Sequence, residues 1–165
     1  TLWDMEKPAV ELASMVPPSH PTGSRSWSWG RTMPNVFTAG VAIFLGVISL
    51  ANGVFMTVSP EPWYWMVSGV PDRGPFNQHF LRDIGIIYAL IGVAFISGAS
   101  FIKQRFALWL MPTAWLAGHA IFHIWEVLVG ICGPEALIVD FGGVTFPALV
   151  GLALVYSSYK AQINE

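Results

Sequence analysis

FALWLMPTAWLAGHAIFHIWEVLVGI, residues 106–131, is a long apolar run that carries His119, His123 and Glu126 near its C-terminal half. Read as the core helix of a soluble domain or as a membrane span, this stretch decides the fold. Composition settles the choice. Of 165 residues, 54% are hydrophobic and only 11% charged, and the mean hydropathy is +0.57. A soluble domain of this size cannot hide that much apolar surface from water.

Working outward, three more apolar runs appear, at 36–58, 84–102 and 136–156. Each of the four is long enough for a bilayer core, which about 20 helical residues cross. The runs are apolar on nearly every side, whereas a transmembrane β-barrel alternates apolar and polar residues. The expected fold is therefore all-α and integral to the membrane, a bundle of four transmembrane helices at 36–58, 78–102, 106–131 and 136–157. A C-terminal segment, 158–165, follows.

Residues 1–35 contain Pro8, Pro17, Pro18, Pro21 and Pro34 and lack the basic, apolar and small-residue order of a signal peptide. They are expected to form a short tail. Leu2, Met5, Ala9, Leu12 and Val16 recur at helical spacing, which suits an interfacial helix; an irregular tail ordered by its neighbours is the alternative.

Lys7, Arg25, Arg31, Lys103, Arg105 and Lys160 fall on one side of this topology, and only Arg73 and Arg82 on the other. The positive-inside rule then puts both termini in the cytoplasm. Two connections face outward, one from Ser59 to Phe76 and one from Cys132 to Glu135. In the first, Trp63, Tyr64 and Trp65 are placed to anchor at the headgroups, and Asn77 is a candidate cap for the second helix. The net charge of −2 argues against nucleic acid as a partner. Cys132, the single cysteine, makes an intrachain disulfide impossible.

With that orientation, the polar residues of separate helices reach similar depth. His119 lies near the middle of the third helix, with His123 about 6 Å and Glu126 about 10 Å further out on the same face. Asp83 of the second helix lies about 10 Å outward of its midpoint, with His79 one turn above, and Asp140 about 9 Å outward in the fourth. Three carboxylates at one level in hydrocarbon need compensating positive charge. The candidates are a metal ion, shared protons, charged histidines, or Arg82 folded inward.

The string Asn77, His79, Phe80, Arg82, Asp83, Gly85, followed by His119 and His123, resembles a pattern in small four-helix bacterial membrane proteins, loosely DoxX-like in layout. The resemblance covers the last three helices and implies the fold and the choice of residues; the expected setting is a bacterial inner membrane. The resemblance implies no activity.

The expected site is thus a metal centre drawn from His119, His123, Glu126, Asp83, Asp140 and His79. Mixed nitrogen and oxygen donors suit zinc, copper, iron or manganese. A haem needs axial histidines from two helices, for which His79 with His119 or His123 is the available set. A proton or quinone-headgroup site needs no metal. In the bland reading the same side chains only hydrogen-bond across helices. Two function classes follow. One is a metal-binding, redox or proton-handling subunit of a larger membrane complex; the other is a cofactor-free accessory subunit that packs against such a complex. Whether the chain is an enzyme is left open. In both classes the lipid bilayer and other membrane subunits are the expected partners. Pro112 and Pro147 are expected to kink the third and fourth helices and to free the carbonyls of Leu108 and Gly143. Gly143, Pro147 and Gly151, and Ser49 with Gly53, are expected to form smooth strips for close helix approach.

Overall fold

The computed structural model describes residues 29–163, with side chains from residue 36 onward, and every regular element among them is helical. The expected interfacial helix of the tail lies outside the described residues. Helix α1, Trp29–Val58, begins before the apolar run, because hydropathy marks where lipid is tolerated and not where backbone hydrogen bonding starts. A short α2, Pro60–Met66, follows with proline in its first turn, where the missing N–H costs nothing. Helix α3, Gln78–Ser100, is capped as expected by Asn77, whose side-chain oxygen accepts from the Phe80 N–H at 3.1 Å.

Helix α4, Arg105–Leu128, stops a turn earlier than hydropathy predicts. Gly130 takes φ +78°, and the N–H groups of Ile131 and Gly130 donate back to the carbonyls of Glu126 at 2.9 Å and Val127 at 3.2 Å. That is a Schellman termination, which glycine permits at no steric cost. The last span is composite. Helix α5, Ala136–Asp140, passes through a π-turn, Phe141–Thr145, into α6, Phe146–Ile163. Pro147, where a kink was expected, is the second residue of α6, directly after that widened turn. There the Phe146 N–H donates to the Phe141 carbonyl, one residue further back than in an α-helix.

Three helical stretches, Val36–Val58, Gln78–Ser100 and Ala136–Ile163, are long and apolar enough to cross a membrane. At 24 residues α4 matches them in length but is not among them. His119, His123 and Glu126 hold its average hydropathy down.

The most extensive contact in the fold is the antiparallel pairing of α1 with α3, followed by α4 on α6 and α3 on α4. Glycines set the first. A Cβ on Gly46 would lie 2.8 Å from the carbonyl oxygen of Gly92, and one on Gly92 would lie 2.5 Å from that of Gly46. Seven residues along, a Cβ on Gly85 would lie 2.9 Å from the Gly53 carbonyl oxygen, and Gly53 in turn faces the backbone of Gly85 and Ala89. Two reciprocal glycine pairs therefore bring backbone against backbone, which is how helices associate where no water drives them together. The expected second strip is only partly realised: Gly151 packs on Thr113, but a Cβ on Gly143 would meet nothing within 4 Å.

Above this spine the core collects Leu45, Ile91, Phe95, Trp109, Leu116 and Leu154. The Trp109 indole N–H donates to the Phe95 carbonyl at 3.0 Å. Arg105 is 8% exposed and donates from Nε to the Gly98 carbonyl at 2.9 Å and from Nη2 to that of Ala99 at 3.1 Å. A guanidinium thus satisfies the free carbonyls at the C-terminus of α3, where the helix dipole favours a cation.

Gly53→Val is expected to lower stability by about 1–3 kcal/mol through overpacking against the α3 backbone. Gly40→Ala, where a Cβ meets nothing within 4 Å, is expected to be neutral or stabilising by up to about 1 kcal/mol through helix propensity. Denaturant unfolding in mild detergent compares the two.

Candidate functional site: a polar cluster around Arg73 and His123

The site is built from the 59–77 connection inward. Trp63 and Tyr64 are 9% and 6% exposed and form a second core with Met56 and Leu81. The expected triple aromatic anchor is therefore corrected: only Trp65, 66% exposed, faces outward. The other two rings serve the fold, because each finds an internal partner for its polar atom. The Trp63 indole N–H donates to Asn52 Oδ1 at 2.9 Å, and the Tyr64 hydroxyl donates to the Gly74 carbonyl at 2.6 Å. That bond holds the short 3-10 turn Pro71–Arg73. Gly69, at φ +83°, lets the same loop come down on α5, since a Cβ there would lie 3.1 Å from Val139 Cγ1.

The loop thereby delivers Arg73 into the bundle. Its Nη2 donates to Asp140 Oδ2 at 2.7 Å, and its Nη1 lies 2.7 Å from His123 Nδ1. His123 Nδ1 is also 2.8 Å from Asp140 Oδ2 and 3.8 Å from Glu126 Oε2. All four side chains are largely buried, with exposures of 20% for Arg73, 11% for Asp140, 13% for His123 and 14% for Glu126. Asp140 is the last residue of α5, just before the π-turn, a feature often found at functional positions.

Of the six residues expected to meet, the structure gathers His123, Glu126 and Asp140. His119 stands one turn away as an aromatic neighbour, edge-on to His123 with ring centroids 4.6 Å apart and stacked on Trp115 at 5.0 Å. Tyr88 continues this row of rings, 5.2 Å from Trp115. His79 and Asp83 are elsewhere: their side chains are 90% and 56% exposed and pair with each other at 3.3 Å. Among the described residues no hydrogen bond or ion pair joins them to the cluster. Their azimuth on α3 turns them away from α4, a property that depth alone does not encode.

A cation paired with Asp140 is Arg73, which was not among the candidates of the sequence reading: a metal ion, shared protons, charged histidines or Arg82. Arg82 instead donates from Nε to the Thr57 carbonyl at 3.1 Å. Arg73 was missed because it sits in a proline- and glycine-rich loop with no periodicity. Its only sequence signal is that it is one of just two cations on that side of the topology. Among the described residues, no set of three or more His, Cys, Asp and Glu side chains is arranged to hold a metal ion. Beside Arg73 a cleft of about 260 Å³ opens between the loop and the α4–α5 connection, lined by Asp72, Arg73, Cys132 and Glu135 among others.

Chemically, the point of interest is Nδ1 of His123. It faces a guanidinium donor and a carboxylate acceptor at nearly equal distance, yet a ring nitrogen carries either a proton or a lone pair. With the proton it donates to Asp140; without it, it accepts from Arg73. Either state leaves one close neighbour without its bond. Compared with known protein families, curated proteins and solved structures, the chain finds no match.

The Arg73–Asp140 contact is expected to show a coupling energy of about 1–3 kcal/mol in a double-mutant cycle of Arg73→Met and Asp140→Leu. Each single variant is expected to destabilise more than the pair, because it strands a buried charge. Denaturant unfolding in detergent measures all four corners of the cycle.

Proposed function

We propose that this chain is a four-helix membrane subunit whose Arg73–His123–Asp140–Glu126 cluster binds and releases a proton, and that the protonation state is coupled to docking of the 59–77 loop. The observation that carries this reading is the double placement of His123 Nδ1, 2.7 Å from Arg73 and 2.8 Å from Asp140. A proton arriving on Nδ1 turns that atom from acceptor to donor, makes its bond to Asp140 and releases Nη1 of Arg73. Departure of the proton restores the Arg73 contact. Since Arg73 belongs to the loop, the same event tightens or loosens the loop on α4 and α5.

In this reading α4 is the fourth span, since its 24 residues extend roughly 36 Å. Its polar residues turn inward to the cluster, as ionisable groups in membrane helices do. Glu126 is the adjacent acid through which a proton reaches or leaves His123, at 3.8 Å. The expected setting, a bacterial inner membrane with both termini in the cytoplasm, belongs to the same proposal and places the cluster in the outer leaflet. The described connections are short, at 67–77 and 129–135, and hold no separate catalytic domain. That supports a role as one subunit of a larger membrane assembly.

Ring nitrogen-15 spectra of histidine-labelled chain in lipid nanodiscs test the reading. The His123 Nδ1 signal is expected to pass between bare and proton-bearing forms across the pH interval in which the chain stays folded. Asp140→Asn is expected to change that passage, and Arg73→Gln to free the loop to hydrogen exchange. An Nδ1 locked in one form over the whole interval overturns the proposal. So does a transition metal that co-purifies in mild detergent and is lost in His123→Ala.

A further inference from the structure

A second feature, on α1, is independent of the proton reading. An apolar groove of about 500 Å³ runs along α1 from Val47 past Leu50 and Val54 to Val58 and Ser59. It lies within a helix long and apolar enough to cross a membrane. From Ser59 to Val47 is roughly 18 Å of helix, close to the roughly 15 Å of hydrocarbon that one leaflet supplies. Val47, Leu50, Ala51, Val54, Phe55 and Val58 give it an apolar lining. Of its lining residues, only Ser59, at the mouth, brings a hydroxyl.

The mouth carries a cation. Arg82 is exposed and hydrogen-bonded through Nε to the carbonyl of Thr57, the residue next to Val58. With the Gln78 amide turned to present its oxygen, that oxygen accepts from Arg82 Nη1 at 2.8 Å and Nη2 at 3.1 Å. Two anchors thus fix the guanidinium plane, while N–H groups on both Nη atoms remain to point outward, since arginine carries more donors than these bonds use. The neighbouring acid, Asp83, pairs with His79. Below Arg82 on the same face of α3, Ile86, Leu90 and Val93 are exposed and continue the apolar strip.

We infer that this is a seat for a phospholipid with an anionic headgroup, one acyl chain lying in the α1 groove and the phosphate meeting Arg82. A planar, fixed guanidinium at headgroup depth matches phosphate geometry. A groove one leaflet deep, with its polar atoms confined to the mouth, matches a lipid better than a second helix, which packs through small residues; here Gly46 and Gly53 are already spent on α3.

Native mass spectrometry of the chain released from mixed phosphatidylglycerol and phosphatidylcholine nanodiscs tests the seat. Wild type is expected to retain phosphatidylglycerol in preference. Arg82→Gln is expected to reduce that preference about fivefold, the loss of one basic contact near the surface, whereas Arg82→Lys keeps most of it. Ala51→Phe, which fills the groove, is expected to lower retention of both lipids. Equal retention of the two lipids by wild type overturns the inference. So does a preference that Arg82→Gln leaves intact, or a two-chain species from which lipid is expelled, which would assign the groove to a second copy.

Discussion

A carboxylate on a helix in an apolar setting must be neutralised by a proton or by an opposite charge held close, and at Asp140 the neutralising group is Arg73 at 2.7 Å. Much of the polar architecture at this end of the bundle answers to that contact. Arg73 lies on a non-helical connection, so its reach depends on the loop being folded against the helices. Tyr64 fixes the turn through the Gly74 carbonyl, and Trp63 fixes α2 through Asn52. Gly69 removes the Cβ that would hold the loop off Val139. A loop carrying this much internal structure is costly in conformational entropy, on the order of 1–2 kcal/mol per backbone residue fixed. Its burial of Trp63, Tyr64 and Leu81 with Met56 offsets that cost.

With Arg73 in place, the remaining acids and the histidine acquire a definite electrostatic relation. Buried ion pairs rarely add net stability over apolar residues of equal shape, while a buried charge left alone is strongly destabilising. Serine or asparagine would join helices at lower desolvation cost than these charged groups. The proposed proton exchange rests on this arrangement. Nδ1 of His123 sits between a donor and an acceptor, and moving one proton rearranges which of them it binds. The row Tyr88, Trp115, His119, His123 packs rings against the cluster on its other side and limits how far His123 can turn.

The fold was legible where a single physical rule dominates. Apolar run length located α1, α3, α4 and the last span, and the short polar side chain of Asn77 located the start of α3. Boundaries were less legible because other rules set them: α4 ends where Gly130 adopts φ +78°, inside a run that hydropathy reads as continuous. The site was half legible. Depth counting put Asp83 level with Asp140, but helix azimuth in a bundle is fixed by packing, and α3 turns Gly85 and Gly92 to α1, which leaves Asp83 exposed. His123, Glu126 and Asp140 were found because ionisable groups in apolar runs are rare enough to be informative. Arg73 was not, because loop conformation follows from tertiary contacts of Tyr64 and Gly69 that no periodicity records.

The two ends of α4 are held by the same device. At its first residue Arg105 grips the carbonyls of Gly98 and Ala99; towards its last turn Arg73 reaches across to His123 and Asp140. Between them α4 has internal weaknesses, a mid-helix Pro112 and a buried Thr113 hydroxyl that has no hydrogen-bond partner among the described residues. An unmet buried hydroxyl costs about 1–3 kcal/mol, and a helix carrying such costs needs fastening at its ends. The Arg105 end is fastened by backbone carbonyls, which have no alternative charge state. The Arg73 end is fastened by the side chains of His123 and Asp140, and so depends on the fold of the loop that delivers Arg73.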